Sequence, residues 1–108
     1  MTTYLAEKPF PIRRRESNIA DIELTVPDCL SMAGRHFRFQ VWDKSDNILF
    51  EKSDTVGGSI VGQKIVIILG EDDMLGFDGI HSWECVISNP GPITVGFGPF
   101  TIIKSRNR

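Results

Sequence analysis

His36 and His81 are the two histidines of the chain, 45 positions apart, and neither has a Cys-x-x-Cys or His-x-x-x-His spacing beside it. Zinc needs ligands that converge from short spacings, so no metal centre is expected. Glu71, Asp72, Asp73 and Asp78 form an acidic loop, but their order lacks the alternating oxygen ligands and closing Glu of a calcium loop. They read as a solvated turn opening one short helical turn, where carboxylates near the N-terminus are favourable. A nucleophile needs a base within reach. His81 and Ser82 are neighbours on a strand pattern and point to opposite faces. Cys85 shares the face of His81, yet four residues of strand place the two roughly 13 Å apart. That pair reads as a core thiol and a rim histidine. Gly57, Gly58, Gly62, Gly91, Gly96 and Gly98 stand away from any strand-to-helix junction, and no Gly-Lys-Ser/Thr follows them, so they read as turns and not as a phosphate cradle. The expected set of catalytic, cofactor and metal residues is empty: the chain is not expected to be an enzyme or to take a small-molecule substrate.

Recognition chemistry is better represented. Lys8, Arg13, Arg14, Arg15, Lys104, Arg106 and Arg108 put seven of the 12 basic residues near the two ends, whereas positions 17–103 hold 12 acids against five bases. Basic ends on an acidic body suggest electrostatic docking onto an acidic neighbour, including another copy of the same body; aid to solubility is the plainer reading. Arg13 to Arg15 could meet nucleic-acid phosphates, but a net charge of −2 opposes duplex binding, and no nucleic-acid partner is expected. Trp42, beside Arg38 and Gln40 on the outward register of its strand, is a candidate stacking platform for sugar or a protein contact; its plainer role is to cover a sheet edge. Tyr4, Leu5, Phe10 and Ile12 give the proline-bearing start an apolar content that wants a neighbour to pack on.

These residues must be positioned by strands. Six runs alternate apolar and polar residues and are rich in β-branched and aromatic side chains: 19–26, 35–42, 48–52, 64–69, 80–87 and 93–103. Ile22, Leu24 and Val26 point one way, as do Phe37, Phe39 and Val41, and Trp83, Cys85 and Ile87. Asp43 to Asn47 is the strongest hairpin turn. The run KIVIIL (64–69) suits a strand covered on both faces or the innermost strand of a sandwich. Gly96, Gly98 and Pro99 read as bulges or bends in the last strand. The stretches CLSMAG and EDDMLGF are each expected to hold a helical turn. Pro9 and Pro11 exclude a helix at the start, so residues 1–18 read as an extended arm with an edge strand around Phe10 to Arg14. Deleting residues 1–15 is expected to leave a folded monomer. The body spans 19–104, and 105–108 form a basic tail.

At 108 residues the chain supports one core. No apolar run approaches the roughly 18 residues of a membrane helix, and the start lacks the basic-then-apolar order of a secretory signal, so no membrane association and synthesis in the cytoplasm are expected. Cys29 and Cys85 read as free, mostly buried thiols. The leading fold is an all-β, immunoglobulin-like antiparallel two-sheet sandwich of about seven strands with one short helical turn; a small closed barrel is the alternative. Trp42 and Cys85 echo the core Trp and second Cys of immunoglobulin domains, while the first Cys is missing.

A basic extended start, a strand, then GRHFRFQVWDKSDNILFEK, a second hairpin with KIVIIL, the acidic turn EDDMLGF and GIHSWECVISNPG together resemble the small immunoglobulin-like domains of tailed-bacteriophage virion proteins, with Gly79 to Trp83 matching a Gly-x-x-x-Trp strand after a helical turn. The resemblance implies a non-enzymatic subunit of a tail, baseplate, neck or capsid surface, located in the virion and partnered by other virion proteins and copies of itself. With no fibre region after Arg108, direct receptor recognition is not expected. The partner-contact residues implied are Tyr4, Leu5, Phe10, Ile12, Arg13, Arg14, Arg15, Lys104, Arg106 and Arg108. A carbohydrate-binding or adhesion module using Trp42 is the competing expectation.

Overall fold

The computed structural model describes residues 3–4, 8–70, 72–88 and 91–104. Among these, nine strands run in chain order: β1 (Thr3–Tyr4), β2 (Ile12–Arg15), β3 (Ile22–Thr25), β4 (His36–Trp42), β5 (Ile48–Ser53), β6 (Gly58–Val61), β7 (Lys64–Ile67), β8 (Gly79–Ser88) and β9 (Ile93–Ile103). They form two sheets rather than one closed barrel. The larger has β9-β8-β4-β5 in antiparallel order, with β1 and β2 both parallel to β9; the smaller is β3-β7-β6.

Alternation decides which side chains meet between the sheets. Phe37, Phe39 and Val41 from β4 and Trp83, Cys85 and Ile87 from β8 are buried in one core with Ile22, Ile65 and Ile67 from the smaller sheet and Leu69 just beyond β7. Phe39 is the hub: its ring stacks on Trp83 at 5.5 Å and meets Phe50 and Phe100 at 6.3 Å each. Offset and edge-on aromatic contacts of this kind add to plain burial. Phe39, opposite Cys85 in the β4–β8 register, holds the central aromatic position of this core, while Trp42 keeps only its echo of the immunoglobulin Trp in chain order.

The expected edge strand near Phe10 to Arg14 exists as β2, and it is integral to the larger sheet. Ile12 pairs with Phe100 and is 7% exposed, so it belongs to the chain's own core and is removed from the residues that could meet a neighbour. The Trp83 indole Nε1–H donates to the Phe10 carbonyl at 2.9 Å, and the Phe10 N–H donates to Phe97 O at 2.8 Å. Gly98 lets this happen, because a Cβ there would lie 2.4 Å from Phe10 O. Residues 1–15 thus contribute Ile12 to the core and the Phe10 carbonyl to Trp83, so their deletion is expected to cost stability as well as remove the arm.

Four further expectations change. No helix occurs among the described residues. In 72–79 the Asp73 carboxylate accepts the Gly70 N–H at 2.6 Å and Gly76 sits at φ +83°, so local side-chain bonding and a left-handed residue replace the helical turn. In 29–34 the chain likewise makes turns, with Leu30 N–H bonded to Pro27 O and Arg35 N–H to Met32 O. The run KIVIIL is central in its sheet but covered on one face only: Ile65, Ile67 and Leu69 are buried while Ile68 is 48% exposed. Cys29 is exposed, because the turn after Pro27 carries it outward. Cys85 is buried, and both thiols are free.

The β6 strand was hidden by glycine. Gly58 pairs with Ile67, and a Cβ on it would meet the Phe37 ring at 2.6 Å, so the residue that looks like a break is a close approach between strand and core.

Candidate functional site

The residues with chemical potential are dispersed and bonded to structural partners. The His81 ring Nε2–H donates to Phe77 O at 2.6 Å, which fixes that tautomer and ties the 72–79 loop to β8; its Nδ1 is buried without a hydrogen bond. Burial, with a smaller contribution from Glu84, pushes the Cys85 thiol up to about 12, so it stays protonated at neutral pH. His36 Nδ1 lies 2.7 Å from Asp54 Oδ2, and the Phe37 N–H donates to Asp54 Oδ1 at 3.1 Å. Burial alone would raise the Asp54 carboxyl, but these hydrogen bonds outweigh it and hold the group below its usual range. In the acidic loop, Asp73 pairs with Lys52 at 2.7 Å, joining the loop to β5. No group of three or more His, Cys, Asp or Glu side chains gathers to hold a metal among the described residues.

Two polar residues escaped the sequence reading. Glu16, next to three arginines, looks like a surface residue, yet it is 1% exposed and accepts the Gly76 N–H through Oε2 at 3.2 Å. Gln63 spans the β3–β4 connection, its Nε2 donating to Pro27 O at 3.0 Å and Leu30 O at 2.9 Å. Neither carries a pattern that a period-two reading detects.

What the fold does bring together is charge. Because β2 runs parallel to β9, with Arg13 opposite Thr101 and Arg15 opposite Ile103, the arginines near the start lie beside the strand that ends at Ile103, one residue before Lys104. Arg13, Arg15 and Lys104 are exposed. Arg14 is diverted: its guanidinium donates to Ala20 O at 3.3 Å and Asp21 O at 3.2 Å, so it clamps the β2–β3 connection. Phe10 is 63% exposed at the start of the same edge. Tyr4 lies in β1 opposite Thr94. Leu5, Arg106 and Arg108 lie outside the described residues.

Trp42 sits past a register shift at Val41/Trp42, half-buried, on the expected outward face. With Ser82, Glu84, Phe97 and Gly98 it lines a shallow open cleft. Glu84 accepts a hydrogen bond from the buried Thr94 hydroxyl at 3.4 Å. The cleft thus presents the Trp42 ring, the exposed Ser82 and the half-buried Glu84 side by side.

Comparison with protein-family models gave no match, and comparison with characterised proteins gave none either.

Proposed function

We propose that this chain is a non-enzymatic, immunoglobulin-like structural subunit of a tailed-phage virion, which links neighbouring subunits through its basic ends. The observation that carries the reading is the parallel β2–β9 edge, where Arg13 and Arg15 lie beside the strand leading into Lys104, Arg106 and Arg108. Cations from both ends of the sequence thus share one end of the molecule. A body with seven more acids than bases over positions 17–103 offers the complementary surface on the next copy.

The strand order supports the immunoglobulin-like part of the reading. Variable-type sandwiches place strands G, F, C and C′ on one sheet and B, E and D on the other. Here β9-β8-β4-β5 faces β3-β7-β6, the same order when β3 stands for B and β9 for G. The residues with catalytic potential also support it, since His81 is bonded to a loop carbonyl and Cys85 is sealed in the core. Mass spectrometry of purified particles tests the reading. A fixed stoichiometry relative to the major capsid protein is expected, and absence from particles that retain their other structural proteins would overturn it.

The Trp42 cleft favours a second reading, a carbohydrate-binding module. A glycan array run with wild type and Trp42→Ala separates the two, because a linker subunit shows no sugar signal that depends on the ring.

A further inference from the structure

The register of the larger sheet lays out its outward face row by row. Glu51, Gln40, Glu84 and Phe97 stand side by side across β5, β4, β8 and β9. Two residues further along the strands come Trp42, Ser82 and Pro99, and two further again Ile80, Thr101 and Arg13. Arg15 follows on β2. Arg13 and Arg15 belong to this face because Ile12 and Glu16, in the alternate phase, are buried.

The face therefore carries opposite charge at opposite corners. At one corner Glu51, Glu84 and Asp54 line a common cavity with a single guanidinium, that of Arg38, and with His36, which is bonded to Asp54. Glu51 and Glu84 take their hydrogen bonds from the neutral Gln40 and Thr94 side chains, so no cation offsets their charge there. At the other corner the exposed cations Arg13, Arg15 and Lys104 stand against one acid, Asp78, just ahead of β8. The ground between is apolar: Ile80 is 62% exposed, and Trp42 and Phe97 are half-buried around their shared cleft.

Such a surface is complementary to itself. β2 lies three strands from β4, so the row centred on Gln40 is roughly 14 Å across the strands and roughly 17 Å along them from the centre of the arginines. A two-fold axis lying in the contact plane, at right angles to that diagonal and passing near Ser82, sets each basic corner on the partner's acidic corner and brings the two apolar middles together. The diagonal is close to 45° from the strands, so the strands of the two sheets cross at about 90°, one of the two usual angles for packed sheets. An apolar centre inside a charged rim is the ordinary anatomy of a protein contact. A partner of a single charge would satisfy one corner and oppose the other; a second copy satisfies both.

We propose that the outward face of the larger sheet pairs with the same face of a second copy across a two-fold axis. This rests on the assembly reading above and names the acidic surface that the basic ends meet. The contact is isologous and closes at two copies.

Sedimentation velocity of the full chain over a concentration series tests it by charge exchange. Wild type should pass from monomer to dimer and no further, and added salt should weaken the dimer. Arg13→Glu/Arg15→Glu makes both corners acidic, and Glu51→Lys/Glu84→Gln makes both basic, so each variant alone should associate at least about tenfold more weakly than wild type. Mixed in equal amounts, the two should recover a dimer, because each corner again meets its opposite. Trp42→Ala should loosen the wild-type dimer by about tenfold with the melting temperature kept. If a double variant melts well below wild type, the exposed single changes Arg15→Glu and Glu51→Lys carry the same exchange. No association of wild type across the series, a mixture that stays monomeric, or growth beyond the dimer would each overturn the proposal. If particles contain the chain while the mixture stays monomeric, only this pairing of faces is wrong; if particles lack it, the underlying assembly reading has failed.

Discussion

The indole nitrogen of Trp83 donates its proton to the carbonyl oxygen of Phe10, at 2.9 Å, across 73 residues of sequence. One hydrogen bond thereby joins the largest side chain of the core to the entry of β2, the strand that carries Arg13 and Arg15.

Trp83→Phe keeps a ring against Phe39 and removes that donor. The bond is only part-buried, so losing it costs about 0.5–1.5 kcal/mol, and the urea midpoint should fall by that much with the slope unchanged. Trp83→Ala also empties the space over Gly96 and should cost about 3–5 kcal/mol. A midpoint for Trp83→Phe equal to wild type would mean that the Phe10 bond contributes nothing to holding β2.

The two cysteines should separate cleanly in labelling. Cys29 is exposed, while Cys85 is buried with its thiol pushed up to about 12. Iodoacetamide at mildly alkaline pH should therefore give one adduct on the folded chain, mapped to Cys29, and a second only in denaturant. Modification of Cys85 without unfolding would contradict the packing of β8 against β4.

Acid stability should depend on Asp54. Its carboxyl is held below the usual value in the fold, so the stabilisation is present above about pH 4, where the unfolded group is ionised, and is lost as pH falls through the folded value. Asp43 is displaced in the same direction, chiefly by the Asn47 N–H. Thermal melts of Asp54→Asn between pH 2 and pH 7 should show a shallower acid limb than wild type. A limb of unchanged steepness would assign the acid sensitivity to other groups.

Much of the sandwich was legible because burial here is periodic. Phe37, Phe39 and Val41 alternate with His36, Arg38 and Gln40, and that alternation by itself sets the inward face of β4. The turn at Asp43 was legible for a local reason, since its carboxylate accepts the Ser45 and Asn47 N–H groups at 2.8 and 2.9 Å. What escaped depends on contacts distant in sequence. Gly58 looks like a break until Phe37 is placed against it, and Glu16 looks exposed until Gly76 reaches it from 60 residues away. The fate of the basic residues was half visible. Their clustering near the ends is in the sequence, but only the parallel pairing of β2 with β9 brings the clusters together and turns Arg14 inward.

Incorporation of Arg13→Glu/Arg15→Glu into particles, quantified against wild type in the same infection, tests the central claim most directly. Both side chains are exposed on β2, so the variant should stay folded, with a melting temperature close to wild type. The account predicts that it is depleted from purified particles by about tenfold or more, as reversing charge at an electrostatic contact implies. Incorporation at the wild-type level by the folded variant would contradict it.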